Sequence, residues 1–433
     1  MKKKTILRNT VILFILLFSP LFAEGTINTG DSAWMMVSTG LVLFMVPGLA
    51  LFYGGMVRSK NILGTLMHSI IALGVMTIQW VVIGYSLAFG EGNAFIGDFS
   101  HIFLRGFGPE SVTGTIPSYV WIAFQGTFAC ITPALIAGAF AERVKFGTYV
   151  IFILIWGTLV YDPVCHWVWA EAGWLFKDGA IDFAGGTVVH IISGIAGLVT
   201  CIVIGKRRGY PSYPILPHNL VYTVLGAGIL WFGWFGFNAG SALAANTSAG
   251  LAFINTFISP AAGMIGWLIA EKIHLGKPSA LGAASGIVAG LVAITPAAGS
   301  VLPGSAIILG LITAICCYVF VALKKKFGYD DSLDAFGVHG IGGTIGAIGC
   351  GIFASVGYNS LLFPHSVADG NSGIAQFIIQ IKGVAATGMY SIVVTLIIVF
   401  ALDKTLGFRA KEEDELQGLD ITMHGETAYN SEG

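Results

Sequence analysis

The sequence predicts an all-α membrane protein of eleven transmembrane helices, and three observations carry that prediction. Of the 433 residues 55% are hydrophobic and only 10% charged, whereas soluble domains carry roughly a quarter charged residues. Eleven apolar stretches are long enough to cross a hydrocarbon core of roughly 30 Å. Lys and Arg also alternate between loops in the manner of a multi-pass protein. The net charge of −1 averages two unlike faces and points to no partner by itself. The partner that composition implies is the lipid bilayer, and no nucleic acid is expected.

The chain begins "MKKKTILRNTVILFILLFSPLFAEG", with a Lys-rich start and an apolar run too short to span a membrane comfortably. This reads as a secretory signal peptide, residues 1–23, cut after Ala23. Leu21 is bulkier than the small residue preferred at its place, which leaves an uncleaved first helix as the alternative. Residues 31–403 then form the transmembrane domain and 404–433 a cytoplasmic tail. The spans fall near 34–56, 63–89, 117–141, 147–164, 184–205, 219–240, 248–271, 279–296, 302–323, 336–357 and 376–403. Gly and Pro interrupt several of them, as membrane helices allow when neighbours re-satisfy the backbone.

Orientation follows from the basic residues. Alternate loops hold Arg58 and Lys60, Arg143 and Lys145, Lys206 to Arg208, Lys272 and Lys277, Lys324 to Lys326, and finally Lys404, Arg409 and Lys411. The remaining loops hold Arg105 and Lys177, with Lys382 able to snorkel from the last span. Positive loops stay inside, so the mature N-terminus lies outside and the C-terminus inside the cytoplasmic membrane. The six cysteines lie mostly within apolar spans without CxxC spacing, and read as small hydrophobes. No metal site and no cofactor are expected.

In "GAASGIVAG" Gly282, Gly286 and Gly290 line one helix face, a pattern that lets membrane helices approach closely. Two further stretches hint at a repeat. "DFAGGTVVH", starting at Asp182, opens the fifth span and "DAFGVHG", starting at Asp334, opens the tenth. Each runs acid, Phe, Gly, Val-His. Spans 1–5 and 6–10 are then two inverted five-helix repeats with an eleventh helix appended, a design that puts the functional site between the halves near the midplane.

The residues those stretches carry, His190 and His339, are ionisable groups inside spans, and such groups face a cavity or a partner. One alone is explained by an interhelical hydrogen bond; a matched pair points to function. Two adjacent neutral imidazoles share one proton and leave a donor and an acceptor at their ends. That suits a neutral hydrogen-bonding solute or a relayed proton.

In span 3 Phe124 and Phe128 are one turn apart on one face. In span 6 Trp234, Phe237 and Ser241 share another, and Trp169 lies just beyond 164 at the outer end of span 4. Singly these read as packing aromatics, a belt Trp and a Ser bonded to its own helix. Together they describe an external cup of aromatic faces with one hydroxyl, which holds a small alkylammonium-like cation by cation–π attraction. A phenylalanine constriction lies below it. Asp182 is a loop acid, an N-cap for span 5, or a source of negative field near that cup.

The motifs "VPGLALFYGGMVRSKN", "AFQGTFACI", "IAGAFAERVKF", "DFAGGTVVHI", "GWFGFNAGSA", "LGAASGIVAGLVAITPAAG" and "DAFGVHGIGG" together resemble the ammonium transporter family, kin to the methylammonium permeases and Rhesus glycoproteins. The resemblance implies a homotrimer with one pore per subunit, carrying ammonium or ammonia and methylammonium, and no enzymatic activity. It implies Trp169, Phe128 and Ser241 as the outer ammonium site, shaped by Asp182, and Phe128 with Phe237 as a stacked gate flanked by Phe124 and Trp234. It implies His190 and His339 as a twin-histidine pair, and "GLDITMHGETAYN" as a tail segment controlled by a PII-type signalling protein. One departure is "AEAGW" after Trp169, where relatives are Gly-rich; Glu171 and Trp174 are expected to alter the vestibule. Three rival readings are an ammonium sensor that signals through such a partner, an intramembrane metalloenzyme using His190, His339 and Asp182, and a neutral-gas channel. Missing HExxH-type spacing weighs against the second, and the aromatic cation cup against the third.

Overall fold

The computed structural model describes residues 26–354 and 373–429; the expected signal peptide, 1–23, and the end of the tail lie outside them. Among the described residues ten helices are long and apolar enough to cross a membrane, and a further apolar helix, Ala280–Ile294, is shorter. In chain order they are α1 (Thr29–Met56), α2 (Ser59–Phe89), α3 (Ser118–Phe140), α4 (Phe146–Lys177), α5 (Gly186–Ile204), α6 (Leu220–Gly240), α7 (Thr247–Leu275), α8 (Ala280–Ile294), α9 (Pro303–Phe327), α10 (Phe336–Phe353) and α11 (Gly373–Thr405). A short hairpin pairs β1 (Val112–Thr113) with β2 (Ile116–Pro117) ahead of α3.

Local chemistry sets the helix ends. Asn28, Asn219, Asn246 and Ser279 cap α1, α6, α7 and α8 by accepting first-turn backbone N–H groups. Gly276 and Gly328 end α7 and α9 at φ values of 81° and 79°, where a Cβ would be strained. Span 4 differs from the sequence expectation, which ended it at 164. The regular helix runs on to Trp169, its polar side chains buried and bonded to neighbouring elements. Asp162 accepts from Gln79 Nε2 at 2.6 Å, and the His166 ring meets Ala88 O at 3.0 Å and Asn93 O at 2.7 Å. Hydropathy counts such residues as a break; the fold buries all three.

The small-residue face of α8 lies against α7. A Cβ on Gly286 would sit 2.8 Å from Gly263 O and from Met264 Cα, and one on Gly290 would sit 2.5 Å from Ser259 O. Only hydrogen fits at these crossings. The third residue of that face, Gly282, meets the Glu271 carboxylate instead.

On the basic face a buried ionic cluster joins the loops. Glu142, between α3 and α4, accepts from Arg58 Nε at 2.8 Å, Asn61 Nδ2 at 2.9 Å and Arg207 Nη1 at 3.0 Å. The Arg207 fork also grips Asp330 through two 2.9 Å bonds, and Arg143 donates to Asp330 O at 2.6 Å. Burial pushes the Glu142 and Asp330 carboxyls up, but Arg207 outweighs it and holds both below the usual carboxylate range, with help from Arg58 at Glu142. The tail docks on the same cluster. Its short helix α12 (Glu412–Gln417) is held by Arg409 to Glu415 at 2.6 Å, Leu419 N donates to Asn61 Oδ1 at 2.9 Å, and Gly64 N donates to Asp420 Oδ1 at 2.8 Å. Asn61 thus ties the tail to Glu142 with one amide.

Two predictions follow from the packing and the charges. Gly286→Val overpacks the α7–α8 crossing and costs ~1–3 kcal/mol, read as a lower melting temperature, whereas Gly250→Ala, with open space around it, leaves it unchanged or raised. Because the Glu142 and Asp330 carboxyls are depressed in the fold, their stabilisation is present above the ordinary carboxylate pKa of about 4. It is lost as pH falls below that value. Glu142→Gln leaves Arg207 and Arg58 undercompensated at neutral pH, costs ~3–5 kcal/mol, and flattens the acid limb of a melting-temperature against pH profile.

Candidate functional site

Two carboxylates begin the two helices that matter most. Asp182 Oδ1 accepts from Gly185 N and Gly186 N at 2.9 and 2.5 Å; Oδ2 accepts from Thr187 N at 2.8 Å, Val188 N at 3.1 Å and the Thr187 hydroxyl. At the start of α10 Asp331 accepts from Ala335 N, Phe336 N and Gly337 N at 3.0, 2.8 and 3.4 Å. The acid that matches Asp182 is therefore Asp331. Asp334, with which "DAFGVHG" starts, instead pairs with Lys324 and has a φ of 62°. Each capping aspartate precedes its histidine by the same interval, 182 to 190 and 331 to 339.

Both helices open with a wide π turn, Gly186–Ile191 and Phe336–Gly340. Such turns are rare and gather at functional sites. They bring His190 and His339 together from opposite sides: the two Nδ1 atoms are 3.3 Å apart and the ring planes differ by 18°. Close approach is possible because Gly194 of α5 meets the backbone of Gly340. Both imidazoles are buried. A bond between two Nδ1 atoms requires that one donate and the other accept, so the neutral rings hold opposite tautomers. One outer Nε2 is then a donor and the other an acceptor. His190 Nε2 has no protein partner.

From the histidines a column of rings leads outward. Ring centroids are 6.1 Å apart for His190 and Phe237, 4.3 Å for Phe237 and Phe128, and 5.7 Å for Phe128 and Trp169, the last pair edge-on at 88°. Trp234 lies over His190 at 5.4 Å, its Nε1 tied to Thr295 Oγ1 at 2.9 Å. Phe124 meets the edge of Phe128 at 5.0 Å and packs toward Gly240; it does not line the outer cavity. That cavity, of about 120 Å³, is lined by Phe128, Trp169, Ser241 and Asp182 together with Gln125, Trp121 and their neighbours. It adjoins a wider vestibule of about 720 Å³ that shares Trp121 and Trp169 and is edged by Glu91 and Glu171. Trp174 stays out of the vestibule, packed on Trp167 with Lys382 over its face.

The polar groups around the cavity are largely committed. Trp169 Nε1 donates to Asp182 O at 2.8 Å, and the Ser241 hydroxyl donates to Phe237 O at 2.8 Å. The expected self-bonded serine and the expected N-cap aspartate are both present, within the cavity lining. Sequence reasoning passed over Gln125, although a polar residue in an apolar span is the signal that singled out the histidines. It passed over Asp331, whose spacing to His339 could have been counted against Asp182 and His190. Leu243, in the turn after α6, carries no comparable signal.

A family model described as the Ammonium Transporter Family matches residues 33–429. An ammonium transporter of Bacillus subtilis is 52% identical over 405 residues, 92% of this chain and 98% of its own. Ammonium transporter Amt1 of Archaeoglobus fulgidus is 42% identical, covering 93% of this chain and all of its own. Among solved structures, Mep2 of Saccharomyces cerevisiae superposes with a TM-score of 0.81 at 35% identity, over 90% of this chain and 89% of Mep2. A structure described as a sensor Amt protein reaches 0.84 at 30% identity, over 90% of this chain and 97% of its own. With the family model spanning nearly the whole chain and a curated relative at half identity, this protein belongs to the ammonium transporter family.

Proposed function

We propose that this protein moves ammonium inward across the cytoplasmic membrane, recruiting NH4+ at the aromatic cavity and passing NH3 along the two histidines. The observation that carries the reading is the unbroken run of rings from Trp169 through Phe128 and Phe237 to a buried imidazole pair 3.3 Å apart. Aromatic faces attract a small cation without a counter-charge. Asp182 adds negative field from behind Trp169. Beyond Phe128 the rings offer no shell for an ion. Carrying a bare cation there costs tens of kcal/mol in the idealised limit. Deprotonating ammonium, of pKa about 9, costs ~3 kcal/mol at neutral pH at 1.36 kcal/mol per unit. A cation without a proton has no such route.

The basic loops set the orientation, with the tail inside. The likeness of α5 to α10, each with a capping aspartate, a π turn and a histidine, supports two inverted halves with α11 appended. Kinship supports a homotrimer with one pore in each subunit. Methylammonium is the expected second substrate, and a PII-type protein the expected partner of the tail. A sensor reading also draws support from the tail, which Asn61 links to the loops. Deleting residues 404–433 separates the two: loss of nitrogen signalling with uptake intact favours the sensor, and loss of uptake favours the transporter.

The mechanism is tested by current across a bilayer holding the purified protein during an ammonium pulse. Wild type is expected to give a current that His190→Ala abolishes, because the histidines relay the proton. Uptake of ammonia, read by an internal pH dye, without current in either protein overturns the relay. Trp169→Leu is expected to raise the half-saturating ammonium concentration several-fold through the lost cation–π face, ~0.5–2 kcal/mol. Unchanged half-saturation removes Trp169 from the site.

A further inference from the structure

Counting hydrogen bonds around the outer cavity leaves few groups free to meet a cation. Both Asp182 oxygens are taken by α5 backbone N–H groups, so that carboxylate acts at a distance. The Trp169 N–H and the Ser241 proton are committed elsewhere, leaving Ser241 only its lone pairs. Gln125 stands apart. It lines the cavity beside Phe128 and is 7% exposed; its Oε1 is itself buried and has no hydrogen-bond partner, so the amide must flip to turn that oxygen to the cavity. Amide oxygens without a partner also occur at Gln79, Asn238, Asn255 and Gln376, but of these five residues Gln125 is the one that lines the outer cavity, where a ligand can meet the cost of the orphaned amide. Rotating the terminal amide by half a turn exchanges its oxygen and nitrogen without changing its shape.

We propose that the Gln125 amide oxygen is the hydrogen-bond acceptor that binds N–H-bearing cations in the outer cavity. This inference rests on the aromatic cavity being the recruitment site. Gln125 sits on α3 one residue past Phe124 and three before Phe128, so the helix that supplies the Phe128 face also supplies the oxygen. Two oxygens, from Gln125 and Ser241, with π faces on the remaining sides, match the directional N–H groups of ammonium or a primary alkylammonium. They are too few for a bare alkali cation, whose hydration shell protein sites replace with rings of oxygens. The aromatic rings supply attraction for any small cation, and Gln125 supplies preference for one carrying protons.

The test compares wild type, Gln125→Leu and Trp169→Leu in proteoliposomes. It reads half-saturating ammonium, maximal uptake rate, and melting temperature with and without ammonium. Loss of one hydrogen bond to a charged ligand predicts about a tenfold rise in half-saturation for Gln125→Leu, with maximal rate little changed. Removing an orphaned amide predicts a melting temperature without ammonium that is equal or higher, with the stabilisation by ammonium reduced. If Gln125→Leu leaves half-saturation unchanged while Trp169→Leu raises it, Gln125 is not a ligand and the cavity still recruits. If neither variant changes it, recruitment at this cavity fails as well. A lower melting temperature with a parallel fall in rate makes the amide structural and overturns the proposal.

Discussion

A helix that begins inside a membrane protein carries first-turn N–H groups that water cannot reach, and this structure answers that constraint with two carboxylates. Asp182 and Asp331 each gather several backbone N–H groups at the start of a helix that begins inside the protein. Because those helices start at depth, their first residues include an imidazole aimed at the other half. A helix that began at the membrane surface would spend that depth on apolar side chains. The aspartates therefore do more than cap: they allow irregular backbone, the two π turns, beside the paired histidines. Their negative charge, distributed over the N–H groups, also completes the favourable alignment with the helix dipoles.

The same economy of polar groups explains what was legible in the sequence. The spans were readable because hydropathy measures the transfer of side chains: among the described residues ten helices are long and apolar enough to cross a membrane, and Ala280–Ile294 is a shorter apolar helix. The error at α4 has a physical cause: Asp162 and His166 are hydrophilic alone but are buried in the fold, bonded to Gln79 and to backbone carbonyls respectively. Hydropathy has no term for a partner supplied from another helix. The site followed the same rule. His190, His339 and the aromatic residues were visible by their oddity or spacing, and the family motifs collected them. Asp331 was hidden behind the nearer Asp334, since spacing on the chain does not say which acid reaches a given N–H. Phe124 and Phe128 share a helix face, yet only Phe128 reaches the cavity; which of two edge-on rings meets a void depends on the opposite wall, supplied by α4 and the turn after α6.

The opposite face of the molecule uses charge where the pore avoids it. Glu142, Arg207 and Asp330 are buried, yet each has fitted partners, so the cost of desolvation is met by geometry rather than by water. Asn61 then extends this network to the tail through Leu419. Loops that are separate in sequence are thereby fastened to one another, and the backbone that leads to Asp331 leaves directly from this cluster at Asp330. The tail is thus bonded, through Asn61 and Glu142, to an ionic cluster whose Asp330 stands one residue from the acid that caps α10.

The opposite tautomers of His190 and His339 have a consequence for repeated use. Suppose a proton arrives on the accepting Nε2 of one ring, hops across the Nδ1 contact, and another leaves from the far Nε2. The rings are then interchanged: the end that accepted now donates, and the end that donated now accepts. The pair has become a wire of reversed polarity, closed to a second proton from the same side. Before the next can follow, the bonding must be rewound, either by return of the charge or by a passing molecule able to give one hydrogen and take another. Ammonia, with three N–H bonds and one lone pair, is such a molecule. In such a relay proton and ammonia would not be independent passengers, because each would leave the histidines in the state the other requires.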